Sequence, residues 1–273
     1  MASDKRRGPT ARPAGKPSAR TPGGSRSRDR RGEPPAPDRK QADRDRPRLP
    51  SDVYRDLKAA TGGDVERVAA DYAAAGVALE QGDTTRAIEL LRACRQRASR
   101  SAAVREALGI ALYLDGQYRE AGRELSAYRR MSGRLDQNHL VADCARANGQ
   151  FDKAESLVDE MMGADVPADR VAEGLLVIAG ARADRGDVRA ALAALHRMDL
   201  APRDVQPYHL RLWYLAGGLH EQLGEPDQAE SMFSAIATID PEFLDAADRV
   251  AALEGSPGQL RSDAAAAAKR LPQ

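Results

Sequence analysis

Residues 213–241 read WYLAGGLHEQLGEPDQAESMFSAIATIDP, and this stretch predicts two helices joined by a tight turn. Apolar residues recur every three or four positions on each side of Gly224, a spacing typical of helices that bury one face. Gly224 marks the turn, because glycine can end a helix in a left-handed conformation that other residues resist. The second helix then opens on polar Glu225 and carries Ala229 one turn later.

The same turn recurs along the chain as G-x4-A followed by an apolar helix. Successive glycines are 34, 33, 37 and 38 residues apart. Five copies at nearly constant spacing indicate an internal repeat, and a repeat of this length is typical of stacked supersecondary units. The five motifs are Gly82–Ala87, Gly116–Ala121, Gly149–Ala154, Gly186–Ala191 and Gly224–Ala229.

Each motif predicts the same local structure. The Asp, Gln or Glu after the glycine starts a second helix, where polar or negative side chains suit the exposed N–H groups. The alanine lets the two helices of a pair approach closely. A larger apolar residue follows four positions after the alanine and another three positions later, so all three share one helical face. These apolar pairs are Leu91 and Cys94, Leu125 and Tyr128, Val158 and Met161, Leu195 and Met198, and Phe233 and Ile236.

The repeat resembles the tetratricopeptide repeat, a helix–turn–helix unit of 34 residues with the pattern W-x2-L-G-x2-Y…A-x3-F…P. The resemblance covers about residues 68–241, and the fifth copy matches best, with His220 where the pattern has tyrosine. It implies an all-α fold, a right-handed superhelical array of about five helix–turn–helix repeats, with Gly217 as the small residue needed for close helix packing. The matching positions of the fifth copy are Trp213, Ala216-Gly217, Ala229, Phe233 and Pro241.

The chain divides into three predicted segments. Residues 1–50 hold 9 of the 16 prolines and almost no large apolar side chains, which predicts a disordered basic Pro/Arg-rich tail. Residues 51–256 form the repeat domain, with a leading helix at 52–60, extra loop residues around Val166-Pro167 and Ala201-Pro202, and a capping helix at 242–254. Residues 257–273 form an Ala-rich C-terminal tail, for which a frayed helix is expected.

The resemblance also implies a function, the binding of a protein or peptide in a concave groove lined by the first helix of each pair. Aromatic and Arg side chains, which most often dominate protein interfaces, occur among the expected groove residues. The family's clamp for acidic C-terminal peptides uses Lys, Arg and Asn at set groove positions, and the presence of only Arg146 and Arg211 does not predict it. The expected groove residues are Tyr72, Leu79, Ile110, Tyr113, His139, Asp143, Arg146, Glu173, Arg211, Tyr214 and Glu221.

Charge is distributed unevenly, although the net charge of the chain is only +1. Residues 1–50 carry 15 Lys and Arg against 6 Asp and Glu, whereas the remainder carries 27 against 35. The basic tail allows an alternative function, an RNA- or ribosome-associated protein whose arginines contact phosphates weakly and without sequence preference. It has no aromatic residues for base stacking, and a tail that only keeps the protein soluble, or one that contacts a peptide or a membrane surface, remains open.

Nothing in the sequence predicts catalysis, a cofactor or a metal. Neither G-x4-G-K-[ST] nor H-E-x-x-H occurs, and the histidines are assigned to surface or packing positions. Cys94 and Cys144 are too few for a disulfide framework and are expected to be buried as small apolar residues. With no long apolar stretch and no secretory signal, the expectation is a cytoplasmic, non-enzymatic scaffold without a membrane span. The sequence does not predict the oligomeric state.

Overall fold

The computed structural model describes residues 49–255, and within them every regular element is an α-helix. The tail predicted for residues 1–50, apart from Leu49 and Pro50, and the tail predicted for residues 257–273 lie outside the described residues. The helices are α1 (Ser51–Thr61), α2 (Val65–Glu80), α3 (Thr84–Arg97), α4 (Ala102–Leu114), α5 (Tyr118–Ser132), α6 (Asn138–Ala147), α7 (Phe151–Met162), α8 (Ala168–Asp184), α9 (Val188–Leu195), α10 (Pro207–Leu223), α11 (Pro226–Ile239) and α12 (Ala246–Gly255).

Ten of these helices form five consecutive hairpins, so the predicted all-α array of helix–turn–helix repeats is confirmed. Each hairpin packs against the next one along the chain. The first helices of neighbouring hairpins also touch one another directly, from α4 through α6 and α8 to α10. The hairpins are α2/α3, α4/α5, α6/α7, α8/α9 and α10/α11.

The glycine of every G-x4-A motif adopts a positive φ, between 73° and 82°. An L-residue with a side chain pays a steric cost in this region, so glycine is required to turn the chain within three residues. The prediction that the next residue starts the second helix holds fully where that residue is Asp. Asp83 and Asp187 accept hydrogen bonds from the backbone N–H groups of Arg86 and Ala190, whereas Gln117, Gln150 and Glu225 make no such side-chain cap.

The alanine of each motif lies at the contact between helices, and none is more than 1% exposed. The apolar residues that follow it are buried as predicted, with the exception of Met198. Helix α9 ends at Leu195, so Met198 lies in the following turn, half-buried against the same core. Cys94 and Cys144 are both buried free thiols, as expected.

Two glycines let a large side chain of the second helix reach the backbone of the first. A Cβ added to Gly217 of α10 would lie 2.7 Å from Cζ of Phe233, and one added to Gly109 of α4 would lie 2.6 Å from Cγ of Leu125. Both distances are shorter than van der Waals contact allows. The predicted role of Gly217 in close helix packing is therefore confirmed.

The array begins and ends on single helices. Leu57 of α1 is fully buried beside Val68 and Cys94, so the leading helix covers the first hairpin. The final helix begins at Ala246, four residues later than the sequence suggested, because residues 240–245 form a turn in which Leu244 has a φ of 49°. The extra residues expected in the longer repeats lie in two loops, 163–167 and 196–206.

Phe233→Ala should destabilise the protein by about 3–5 kcal/mol, because the phenyl ring is fully buried and its loss leaves a cavity. Equilibrium denaturation in urea measures the change. Ile239→Ala is a suitable control, since Ile239 lies on the same helix with half of its surface exposed, and it should cost far less. A loss below about 1 kcal/mol for Phe233→Ala would contradict the assigned core.

Gly217→Ala and Gly180→Ala should change stability in opposite directions. The new methyl group of Gly217→Ala collides with Phe233 and should cost about 1–3 kcal/mol. Gly180, inside α8, has open space where a Cβ would lie, so alanine there should be stabilising by up to about 1 kcal/mol through helix propensity. Urea denaturation of the two variants would refute the close-packing role if their free energies of unfolding shifted equally.

Candidate functional site

All eleven expected groove residues lie on the first helices of the hairpins. Tyr72 and Leu79 are in α2, Ile110 and Tyr113 in α4, and the remainder are distributed over α6, α8 and α10. Because the first helices from α4 to α10 touch one another in turn, the expected groove residues on those four helices lie side by side. We call the surface formed by the eleven residues the groove. The members on the last three first helices are His139, Asp143, Arg146, Glu173, Arg211, Tyr214 and Glu221.

Polar side chains link three first helices in the middle of the groove. The hydroxyl of Tyr113 on α4 donates a hydrogen bond of 2.6 Å to the carboxylate of Asp143 on α6. One turn further along α6, Arg146 donates from Nε to the same carboxylate at 2.8 Å and from Nη1 to Asp184 of α8 at 2.8 Å. Each link restricts the rotamers of its two side chains, so the row is partly ordered by its own hydrogen bonds.

A second set of links continues to the end of the array. Arg211 of α10 forms an ion pair with Glu173 of α8. On the other side of α10, Tyr214 donates a hydrogen bond of 2.6 Å to Asp245, which lies just before α12. Glu221 accepts from Arg249 of α12 at 2.8 Å. We call the combined set of links along the first helices the polar row.

The two tyrosines of the polar row, Tyr113 and Tyr214, have raised pKa values, which keep their hydroxyl groups protonated as hydrogen-bond donors. Burial and the hydrogen bond to Asp143 raise the pKa of Tyr113 well above its ordinary value, and the hydrogen bond to Asp245 raises the pKa of Tyr214. Burial raises the pKa of Glu221, while the adjacent Arg249 opposes that shift. Both tyrosines therefore remain protonated donors at neutral pH.

Four of the expected groove residues contribute mainly to packing. Tyr72 and Leu79 pack against the core of the first two hairpins, and Ile110 packs against the core of the middle hairpins. Burial raises the pKa of the Tyr72 hydroxyl to about 12. His139 is only 5% exposed, so its side chain packs inside the array and offers little surface to a partner.

Three members of the polar row were not expected from the sequence: Asp184, Asp245 and Arg249. Asp245 and Arg249 follow the fifth hairpin, where the repeat pattern no longer assigns positions. Arg249 also lies over the rings of Tyr214 and Phe233, at 5.3 Å and 5.0 Å from their centroids. Its spacing from Asp245, four residues along the chain, was the one available signal for an ion pair.

Residues 49–255 show neither a metal centre nor a membrane span. That part of the chain contains no group of three or more His, Cys, Asp or Glu side chains arranged to hold a metal ion. None of the helices described is both long and apolar enough to cross a membrane. Burial raises the pKa of the Cys94 and Cys144 thiols to about 12, which makes both poor nucleophiles.

Comparison with known proteins identifies the fold. No family model matches the sequence, and no curated protein matches it either. The structure is similar to a putative kinesin light chain with nearly identical TPR-like repeats from Podospora anserina. That match has 17% sequence identity, covers 71% of this chain and 97% of the other, and has a TM-score of 0.50.

Two further solved structures are similar at lower TM-scores. TTC0263, a thermophilic TPR protein from Thermus thermophilus, is 16% identical over 68% of this chain and 98% of its own, with a TM-score of 0.49. YrrB, described as a TPR protein with an unusual peptide-binding site, is 16% identical over 71% and 96%, with a TM-score of 0.46.

The buried imidazole of His139 should make stability depend on pH. Burial lowers its pKa to about 4, so the unfolded chain binds a proton more readily than the folded chain does. The stability that neutral His139 contributes is complete above about pH 6.5 and is lost as pH falls towards 4. Between pH 7 and pH 5, the wild type should lose about 2 kcal/mol more than His139→Gln, as measured by urea denaturation.

His196→Gln is the matched control, because His196 lies at an exposed position after α9. Its free energy of unfolding should follow the wild-type pH dependence. Parallel pH curves for the wild type and His139→Gln would show that the imidazole is not held neutral in the folded protein.

Proposed function

We propose that this chain, which has the tetratricopeptide-repeat fold, is a non-enzymatic scaffold that binds a peptide or protein segment along the groove. The observation that carries this proposal is the polar row, in which hydrogen bonds link Tyr113, Asp143 and Arg146 across α4 and α6. A lining that is ordered before binding loses less side-chain entropy when a partner arrives. Arrays of such repeats present extended surfaces of this kind.

The members of the polar row keep binding capacity beyond their internal links. The side chain of Arg211 is 56% exposed and that of Asp184 is 58% exposed, so each has free donors or acceptors facing solvent. A carboxylate accepts up to about four hydrogen bonds and a guanidinium offers five N–H donors. Both can therefore bind the backbone or side chains of a partner while their existing contacts persist.

The spacing of the first helices suits an extended segment. Packed helices lie about 8–10 Å apart, and an extended chain advances about 3.3 Å per residue. A peptide crossing the helices would therefore meet a new helix about every three residues. Half-buried Tyr113 supplies apolar surface between the charged positions.

Residues 1–50 are the basis of the alternative, contact with RNA or the ribosome. They lie outside the described residues apart from Leu49 and Pro50, and the comparisons give this alternative no support. We therefore propose protein or peptide as the partner class. The cytoplasmic location and the absence of catalysis expected from the sequence form part of the same proposal.

Arg211→Gln should weaken binding of the groove partner about tenfold, or about 1.4 kcal/mol, because it removes an exposed guanidinium from the polar row. The partner is first captured from native extract with the full-length chain after nuclease treatment. It is then purified, and its Kd is measured by isothermal titration calorimetry.

Arg189→Gln is the matched control, since Arg189 is an exposed arginine on α9, a second helix. It removes the same charge from outside the groove and should leave Kd unchanged. Equal affinity of the wild type and Arg211→Gln would count against the groove. Loss of every captured partner on nuclease treatment would favour the nucleic-acid alternative.

A further inference from the structure

A recessed cleft lies between α5 and α7, both second helices, and α6 forms its floor. The cleft is open to solvent and has a volume of about 470 Å³. Val141, Ala145 and Asn148 on the floor project from the side of α6 opposite to Asp143 and Arg146, because residues two positions apart on a helix point about 200° apart. The cleft is therefore separate from the groove and faces another direction.

Every charged side chain that lines this cleft is a cation. Arg119, Arg123 and Arg130 lie at positions i, i+4 and i+11 of α5, within about 40° of one another around the helix axis. Lys153 of α7 faces them across the floor. No Asp or Glu is part of the lining. We call these four residues and the space between them the cationic cleft.

The cations of the cleft have no carboxylate partner in the part of the chain that the structure describes. The acidic residues of α5, Glu120 and Glu124, line an adjoining pocket together with Arg119 and Arg123, but they bind other arginines. Glu124 binds Arg95 and Arg105. Glu120 is paired likewise with Arg92 of α3. On α7, the carboxylate of Glu160 reaches towards α5, where Arg129 binds it. Lys153 contacts the neutral amide oxygen of Gln150, at 3.5 Å.

The cationic cleft contrasts with the body that carries it. Residues 51–255 contain 24 Lys and Arg against 34 Asp and Glu, a net charge of −10. On such a surface, four cations left together without counter-charges repel one another and raise the local potential. An anionic ligand placed among them would remove that repulsion.

The floor of the cleft, formed by α6, packs closely against α5. A Cβ added to Gly122 of α5 would lie 3.2 Å from Cβ of Cys144 on α6, so α5 packs closely against α6 at this point. The amide of Asn148 is held by a hydrogen bond of 2.6 Å to the carbonyl oxygen of Cys144. The arginines of α5 therefore lie close to the floor and form one wall of the cleft, and Lys153 of α7 lies on the opposite wall.

We propose that the cationic cleft binds an acidic segment of a partner protein, as a second docking site that goes beyond the groove. Arg130 lies eleven positions after Arg119 on α5, a rise of about 16 Å. An extended peptide covers that distance in about five residues, with alternate side chains on one face. A segment with Asp or Glu at every second position thus presents about three carboxylates to the arginines of the wall.

A short acidic peptide matches the cleft better than nucleic acid does. A polynucleotide would extend beyond the cleft and bring its phosphates against the surrounding carboxylates of the array. Binders of single strands usually stack bases on several aromatic rings, and the cleft offers only Tyr118. A segment of about five residues keeps its charge within the four cations.

The test uses a fluorescent peptide of about nine residues in which Glu alternates with Ser, and a matched peptide with Gln in place of Glu. Binding to the full-length chain is measured by fluorescence anisotropy at low and at physiological ionic strength. The wild type should bind the Glu peptide and not the Gln peptide. Arg123→Gln combined with Arg130→Gln should weaken the Glu peptide about fivefold or more, since two exposed ion pairs are lost.

The matched control is Arg189→Gln combined with Arg203→Gln, which removes the same charge from two exposed positions outside the cleft. Its affinity for the Glu peptide should remain that of the wild type. Equal weakening in both double variants would show diffuse attraction, and unchanged affinity in both would show binding elsewhere, for example by the basic residues 1–50; either result would overturn the proposal. So would equal binding of the two peptides.

An RNA oligonucleotide of similar length serves as the competing ligand. If it binds more tightly than the Glu peptide and loses affinity in the Arg123 and Arg130 double variant, the cleft is a nucleic-acid site and the proposed occupant is wrong. Because Arg211→Gln leaves the cleft intact, it should not change binding of the Glu peptide. The cleft and the groove can therefore fail independently.

Discussion

Close packing between the two helices of each hairpin, with a buried alanine at every contact, is the constraint on which this array depends. The phenyl ring of Phe233 lies against Gly217, and Leu125 lies against Gly109. With the backbones this near, two helices of little more than a dozen residues bury enough apolar surface to stay paired. A hairpin exposes its outer faces, so it becomes stable only when the next hairpin covers them.

Ion pairs then link neighbouring hairpins to one another. Arg129 of α5 binds Glu160 of α7, and Arg182 of α8 binds Glu155 of α7, so neighbouring hairpins are tied across repeat boundaries. Exposed ion pairs contribute little to stability singly. Their greater effect here is on the charge of the surface. Each ion pair neutralises a cation and a carboxylate that would otherwise attract a charged partner. The cationic cleft is prominent because its arginines take no part in such pairs within the described residues.

The fold was predictable in most of its particulars, whereas the binding surfaces were predictable only in outline. G-x4-A fixed the position of every hairpin turn, since a left-handed turn and a close helix contact each tolerate few residue types. Groove positions could be assigned to the first helices by the repeat pattern. That pattern could not show that Tyr113 reaches Asp143, 30 residues away, or that His139 is buried, because both depend on how one hairpin stacks on the next.

The sequence by itself determined the helical hairpins, their number, their turns and the apolar faces that pair them. These features follow from local conformational preference and from periodicity within about 34 residues of chain. Only the tertiary structure decided which charges are satisfied and which are left over. Arg119, Arg123 and Arg130 look in the sequence like any other arginines of α5. Whether a guanidinium finds a carboxylate depends on distances between helices, and those are set when the hairpins pack.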